Sequence, residues 1–76
     1  MSKPFQPIDA HAVFMRIRSL VELQGGPAAA VRDTGLKLST LNSYLEGKAL
    51  PGAMSLAQMS RGFGVTADFL LFGEGR

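Results

Sequence analysis

The stretch from Gly26 to Pro51, GPAAAVRDTGLKLSTLNSYLEGKALP, constrains the fold more than any other part of the chain. It contains two candidate short helices with a glycine between them and a second glycine after them. Pro27 stands at a favoured first helical position, where its missing N–H removes no helical hydrogen bond. The run AAAVRD follows, and Thr34-Gly35 stops it, with Gly35 free to take the left-handed conformation that a side chain penalises. The second helix is expected from about Leu38 to Glu46, with Gly47 ending it. Leu36 and Leu41 fit the positions of a hydrophobic staple around a start at Lys37. The rest of the chain then reads as the scaffold that holds these two helices at a fixed angle.

Seventy-six residues make one domain at most, near the lower size limit for a self-sufficient core. A hydrophobic content of 46% indicates a globular chain rather than a disordered one. With no cysteine there is no disulfide framework, thiolate metal site or thiol nucleophile, which fits a reducing, cytoplasmic setting. No apolar run approaches the roughly 18 residues of a membrane span, and the start, MSKPFQPIDA, lacks a signal-peptide core. No membrane partner is expected. The net charge of +2 permits nucleic acid without demanding it. Its placement says more: the acids are thinly spread, whereas Arg32, Lys37 and Lys48 fall inside or beside the Gly26 to Pro51 stretch. His11 has only Phe14 and Met15 at helical spacing, so no metal site is expected. The chain also lacks paired acids in a plausible cleft, so neither an enzyme nor a cofactor is expected. The Gly-Glu-Gly ending is no phosphate loop, because it lacks the following Lys-Ser/Thr and a preceding strand.

The pattern predicts an all-α, compact five-helix domain with no alternating strand, internal repeat or low-complexity segment. Residues 1–8 read as a flexible arm, because Pro4 and Pro7 oppose regular structure. The arm is a loose terminus, a DNA-following arm with Lys3 on phosphate, or a segment whose Phe5 packs on the domain. The domain proper spans 9–73, and 74–76 form a loose tail. Helix 1 is expected from about Ala10 to Leu23, capped by Asp9, with Ile8 and Val13 as a staple. Its inner face carries Ala10, Val13, Phe14, Ile17, Leu20 and Val21; His11, Arg18 and Glu22 lie opposite. Helix 4 runs from about Ala53 to Gly62 or Phe63, with Leu56, Met59 and Phe63 inward. Helix 5 runs from Ala67 to Phe72, capped by Thr66, with Asp68 at its positive end and Val65 stapled to Leu70.

Two short helices joined by a few residues containing glycine form a helix-turn-helix, and in DNA-binding forms the second helix enters the major groove. The outward face of helix 3 carries Ser39, Asn42, Ser43 and Glu46, mostly short polar groups suited to close approach to base edges. Leu41 and Tyr44 face inward, with Leu45 beside them, and Tyr44 reads as core rather than a base-stacking platform. At this point the chain resembles the phage-repressor class of helix-turn-helix proteins, the Cro/CI or XRE-like family, over about residues 9–75. GGPAAAVRDTGLKLSTLNSYLEGKALP resembles the family's motif, SLAQMSRGFGVTADFLLFGEG resembles its next two helices, and the spacing between them fits.

The resemblance implies a lambda-repressor-like domain that binds a double-stranded DNA operator, usually as a symmetric homodimer on a palindrome. It implies a repressor of phage or mobile-element type, either a complete Cro-like protein or the excised domain of a longer regulator. It makes Pro27 to Thr34 the supporting helix and Leu38 to Glu46 the recognition helix. Lys37, Leu38, Ser39, Asn42 and Ser43 match positions that usually face bases or adjacent phosphates. Three departures bear on the contacts: Pro27 stands where a phosphate-clamping Gln is common, Lys37 replaces the usual Ser cap, and Ala30-Val31 replaces Leu-Ala. Free N–H groups at the start of helix 2, that of Ala28 included, remain as phosphate donors.

Asn42 suits the adenine N6/N7 edge, and Ser39 and Ser43 suit phosphate or base. Lys37 suits phosphate or a guanine edge, and Leu38 a thymine methyl or the core rim. Thr40 contacts backbone or supports the helix. Lys48 suits phosphate, and Arg32 either does the same or pairs with a nearby acid. Glu46 is unfavourable beside phosphate unless it is turned away or paired. Phe69 and Leu70 read as core. Leu71 and Phe72 are a candidate dimer surface, with packing on helix 1 or the arm as the alternative. The rival to DNA binding is a protein-interaction module or antitoxin built on the same fold.

Overall fold

A computed structural model describes residues 7–74. The proposed roles of Lys3 and Phe5 in the arm, and the last two tail residues, lie outside the described residues. Five helices follow in order: α1 (Ala10–Gln24), α2 (Pro27–Thr34), α3 (Leu38–Leu45), α4 (Ala53–Phe63) and α5 (Ala67–Phe72). The described residues include no strand. The all-α fold with a helix-turn-helix is therefore as the sequence pattern predicts.

Helix α1 is the longest element and packs on α2, α3 and α5; α4 packs on α2 and α5, and α2 on α3. The Asp9 carboxylate caps α1 by accepting the Ala12 N–H at 3.3 Å. Ile8, expected to staple to Val13, remains 44% exposed, while Val13 is fully buried. The inward stripe of α1 is buried at Val13, Ile17, Leu20 and Val21, while Ala10 and Phe14 are half-buried. The helix runs one residue beyond Leu23, where the Gln24 amide donates to Asp33 Oδ2 at 2.6 Å and to the Gly62 carbonyl at 3.2 Å. That side chain ties together the ends of α1, α2 and α4.

The centre of the core is Val13, Ile17, Leu41, Met59 and Leu70, all fully enclosed. Each contributes roughly 1.5–3 kcal/mol by leaving water. Around it pack Val31, Leu45, Leu56, Phe63, Val65 and Phe69. The close crossing of α2 and α4 depends on Gly62, since a Cβ there would lie 2.7 Å from the Asp33 carbonyl oxygen and from Thr34 Cα. On the α4 side the small residue at this crossing is thus Gly62, facing the end of α2. At the C-terminal end of the domain, Thr66 caps α5 by accepting the Phe69 N–H at 3.0 Å. The Ser60 hydroxyl donates to the Val65 carbonyl and closes the α4–α5 turn. Arg16 donates to the Leu70 carbonyl at 3.2 Å, so α1 also holds the last helix.

Candidate nucleic-acid interface

The turn between α2 and α3 is built from local chemistry. Gly35 adopts φ 76°, and its N–H reaches the Val31 carbonyl at 2.9 Å. The buried Thr34 hydroxyl donates to the Ala30 carbonyl at 2.7 Å and accepts the Leu36 N–H at 3.2 Å. Leu36 then enters the core together with Leu41, which agrees with the staple expected from their spacing. With the inner side of α3 pinned in this way, its rotation about its own axis is set, and the residues two-thirds of a turn away must face out.

The inner anchor is completed by Tyr44, which is 5% exposed and donates its hydroxyl to Ser55 Oγ at 2.7 Å. Tyr44 is thus core, with its polar tip satisfied by α4. Leu38, Ser39 and Asn42 are exposed, and Leu38 retains 52% of its surface. Thr40 and Ser43 are half-buried. The Ser43 hydroxyl donates to the Ser39 carbonyl at 3.2 Å, leaving its oxygen lone pairs available as acceptors. Lys37 occupies the N-cap position without a side-chain capping bond and is exposed. The first bond of α3 runs from Leu41 N–H to the Lys37 carbonyl at 3.0 Å, so the N–H groups of the preceding turn point outward beside a cation.

The C-terminal end of α3 is held from two sides. Helix α3 stops at Leu45, with Glu46 as its cap, one residue earlier than the sequence pattern suggests. Lys48 N–H bonds back to the Ser43 carbonyl at 2.9 Å, and Gly47 N–H to Tyr44 at 3.1 Å. Arg18, from α1, donates to the Leu45 carbonyl at 2.8 Å. A cation at a helix C-terminus is favoured by the exposed carbonyls and the helix dipole. Arg18 lies on the exposed face of α1, as its spacing indicates, but it is not merely solvated: it fixes the end of α3. Arg16, Gln24 and Gly62 likewise carry tertiary roles that helical periodicity alone did not reveal.

The remaining candidates lie on α2, in the loop after α3, and on α5. Ala28 and Arg32 are one turn apart on the same face of α2, and both are exposed. The first intrahelical bond of α2 runs from Ala30 N–H to Gly26 at 3.0 Å, so the Ala28 and Ala29 N–H groups precede the ladder. Arg32 forms the acid pair that was one of its two expected roles: Nε lies 2.9 Å from Asp33 Oδ1, and Nη2 3.1 Å from Oδ2. The hydrogen bond from Arg32, and then the one from Gln24, hold the Asp33 carboxyl below its ordinary pKa. Lys48 Nζ lies 3.0 Å from Glu46 Oε2, so Glu46 is paired. Leu71 and Phe72 are half-buried on α5, while the large exposed apolar side chains include Met15, Leu23, Leu50 and Met54. An open groove of about 230 Å³ runs along α1 and α5, lined by Met15, Ser19, Leu23 and Phe69 among others. No helix among the described residues is long and apolar enough to cross a membrane.

No family model matches the chain. No solved structure matches it either. Over 59 residues, 78% of its length, the chain is 34% identical to a Haemophilus influenzae protein described as an uncharacterized HTH-type transcriptional regulator. It spans only about a quarter of that relative, whose matched part is 25% of its length. Coming after a fold whose α2 and α3 are joined by a left-handed glycine turn, the similarity supports a helix-turn-helix regulator family for this domain.

Proposed function

We propose that this domain is a sequence-specific DNA-binding transcriptional regulator that places α3 in the major groove. The observation that carries the reading is the outer face of α3, where exposed Ser39 and Asn42 stand away from fully anchored Leu41 and Tyr44, with exposed Leu38 at its flank. A recognition element needs this combination, because a helix read by base edges must be rigid on its inner side and uncrowded on its outer side. In this reading Asn42 addresses a base edge, while Lys37, Ser39 and Ser43 address a base or the nearby phosphates. Thr40 contacts the DNA backbone or supports the helix, and Lys48, Arg32 and the Ala28 N–H set register on the sugar-phosphate chain.

The family resemblance extends the proposal to a repressor of phage or mobile-element type in the cytoplasm, acting as a homodimer on a palindromic operator. Its half-sites would lie about one helical turn apart. Leu71 and Phe72 are the proposed dimer contacts. The reading calls for no catalysis and no cofactor. The test begins with selection of bound sequences from a random duplex pool, followed by fluorescence anisotropy on the selected site. Asn42→Ala and Lys37→Ala should each weaken specific binding, the former by about 1–3 kcal/mol if its base contact is bidentate. If both variants keep full specific affinity, α3 is not the recognition helix.

A second reading is a protein-interaction module or antitoxin, favoured by the apolar groove along α1 and α5 with exposed Met15 and Leu23. No duplex affinity at low salt, together with a stable complex with a protein partner, would select it.

A further inference from the structure

Arg32 on α2 and Lys48 after α3 are each held by a carboxylate of this chain, and the two pairs are built differently. Asp33 is fixed in the scaffold by Arg32 through both carboxylate oxygens and by Gln24 from α1. Glu46 sits on the cap residue of α3, is 55% exposed, and reaches Lys48 two residues on. Both ends of this second pair are therefore exposed to water, and both lie at the C-terminal end of α3 or just beyond it. Carboxylate and phosphate are alternative anionic acceptors for the same ammonium group.

We propose that Glu46 is an intramolecular competitor for DNA phosphate: it occupies Lys48 in the free domain and attenuates backbone affinity on every sequence alike. The inference rests on the function proposed above and adds a regulatory element to the same surface. When Lys48 turns to a phosphate, it gives up Glu46 or shares it, so the pair has to be loosened before the phosphate is met. The penalty is independent of base sequence, so it falls on operator and bulk DNA by the same factor. Nonspecific binding consists almost wholly of this backbone term. The competitor therefore raises the fraction of domain that is free of bulk DNA, while discrimination stays with Asn42 and its neighbours.

The test is anisotropy with a labelled random-sequence duplex, titrated with wild type, Glu46→Gln, Lys48→Ala and the double variant over a range of salt. Glu46→Gln should tighten binding by about 1.5- to 5-fold at low salt, the range expected for releasing an exposed pair. Its log–log salt slope should steepen by up to about 0.9, the increment for one more neutralised phosphate. In the Lys48→Ala background the gain should shrink sharply. An unchanged affinity in Glu46→Gln overturns the proposal. A gain of the same size without Lys48 also overturns it, because Glu46 would then act by plain repulsion. A wild type that binds no duplex at low salt removes the DNA-binding reading itself, and this inference with it.

Discussion

Gly62→Ala probes the packing that supports α3. A Cβ at this position would meet the Asp33 carbonyl oxygen, Thr34 Cα and Thr34 Cγ2, each at 2.7 Å. Carbon atoms rest at about 3.5–4.0 Å, so the approach is roughly 1 Å too close. Two of the three obstacles are backbone atoms and cannot rotate away, so the end of α2 has to move. Overpacking of this kind costs about 1–3 kcal/mol. Replacing a helical glycine by alanine works the other way and gains up to about 1 kcal/mol. Movement of α2 also strains the Gln24 bonds to Asp33 and Gly62. The net expectation is a loss of about 1–2 kcal/mol. For a domain of this size that lowers Tm by about 4–16 °C. Thermal unfolding followed by circular dichroism measures it directly. A Tm equal to or above wild type, the outcome that helix propensity alone demands, would refute the close α2–α4 crossing. Because Thr34 leads directly into the Gly35 turn, specific DNA affinity should also fall at temperatures where the variant is fully folded.

Thr66→Ala removes the cap of the six-residue α5 and should cost about 1 kcal/mol, with the Phe69 amide losing hydrogen-exchange protection first. Arg18→Ala deletes the bond to the Leu45 carbonyl and should cost about 0.5–1.5 kcal/mol; Arg18→Lys should recover part of this in chemical denaturation, since a cation remains near the helix end. The folded-state pKa of Asp33 is depressed, so its contribution is present above the unfolded carboxyl value and is lost as pH falls through the folded one. Asp33→Asn should therefore narrow its Tm deficit relative to wild type as pH is lowered from neutral into the strongly acidic range; a deficit that stays constant with pH would contradict the pairing. Lys37→Ala should reduce the log–log salt slope of DNA binding by about 0.9 if Lys37 meets one phosphate.

The elements that could be read from the chain are those whose cause lies within a few residues. Asp9 caps α1 through Ala12, Thr66 caps α5 through Phe69, Pro27 opens α2, and Gly35 turns into α3. The polar outer face of α3 and its buried Leu41–Tyr44 side follow from the same short period. The pairing of Arg32 with Asp33 and of Lys48 with Glu46 joins near neighbours, so the sequence marks the candidates, but whether each cation turns to its acid depends on rotamers.

Other features join residues far apart in the chain and leave no periodic trace. Arg18 reaches Leu45 across 27 positions, Gln24 reaches Gly62 across 38, and Arg16 reaches Leu70 across 54. By helical spacing Arg18 is simply an outward residue, and Gly62 one of two expected ends of α4. Helix boundaries, caps and the inward stripe follow from the chain alone, because backbone hydrogen bonding and burial periodicity are local. Which outward side chain closes on which helix end, and where two backbones approach closely enough to exclude a Cβ, is decided only when the five helices pack. Those distances depend on the angles between elements rather than on any one element's sequence.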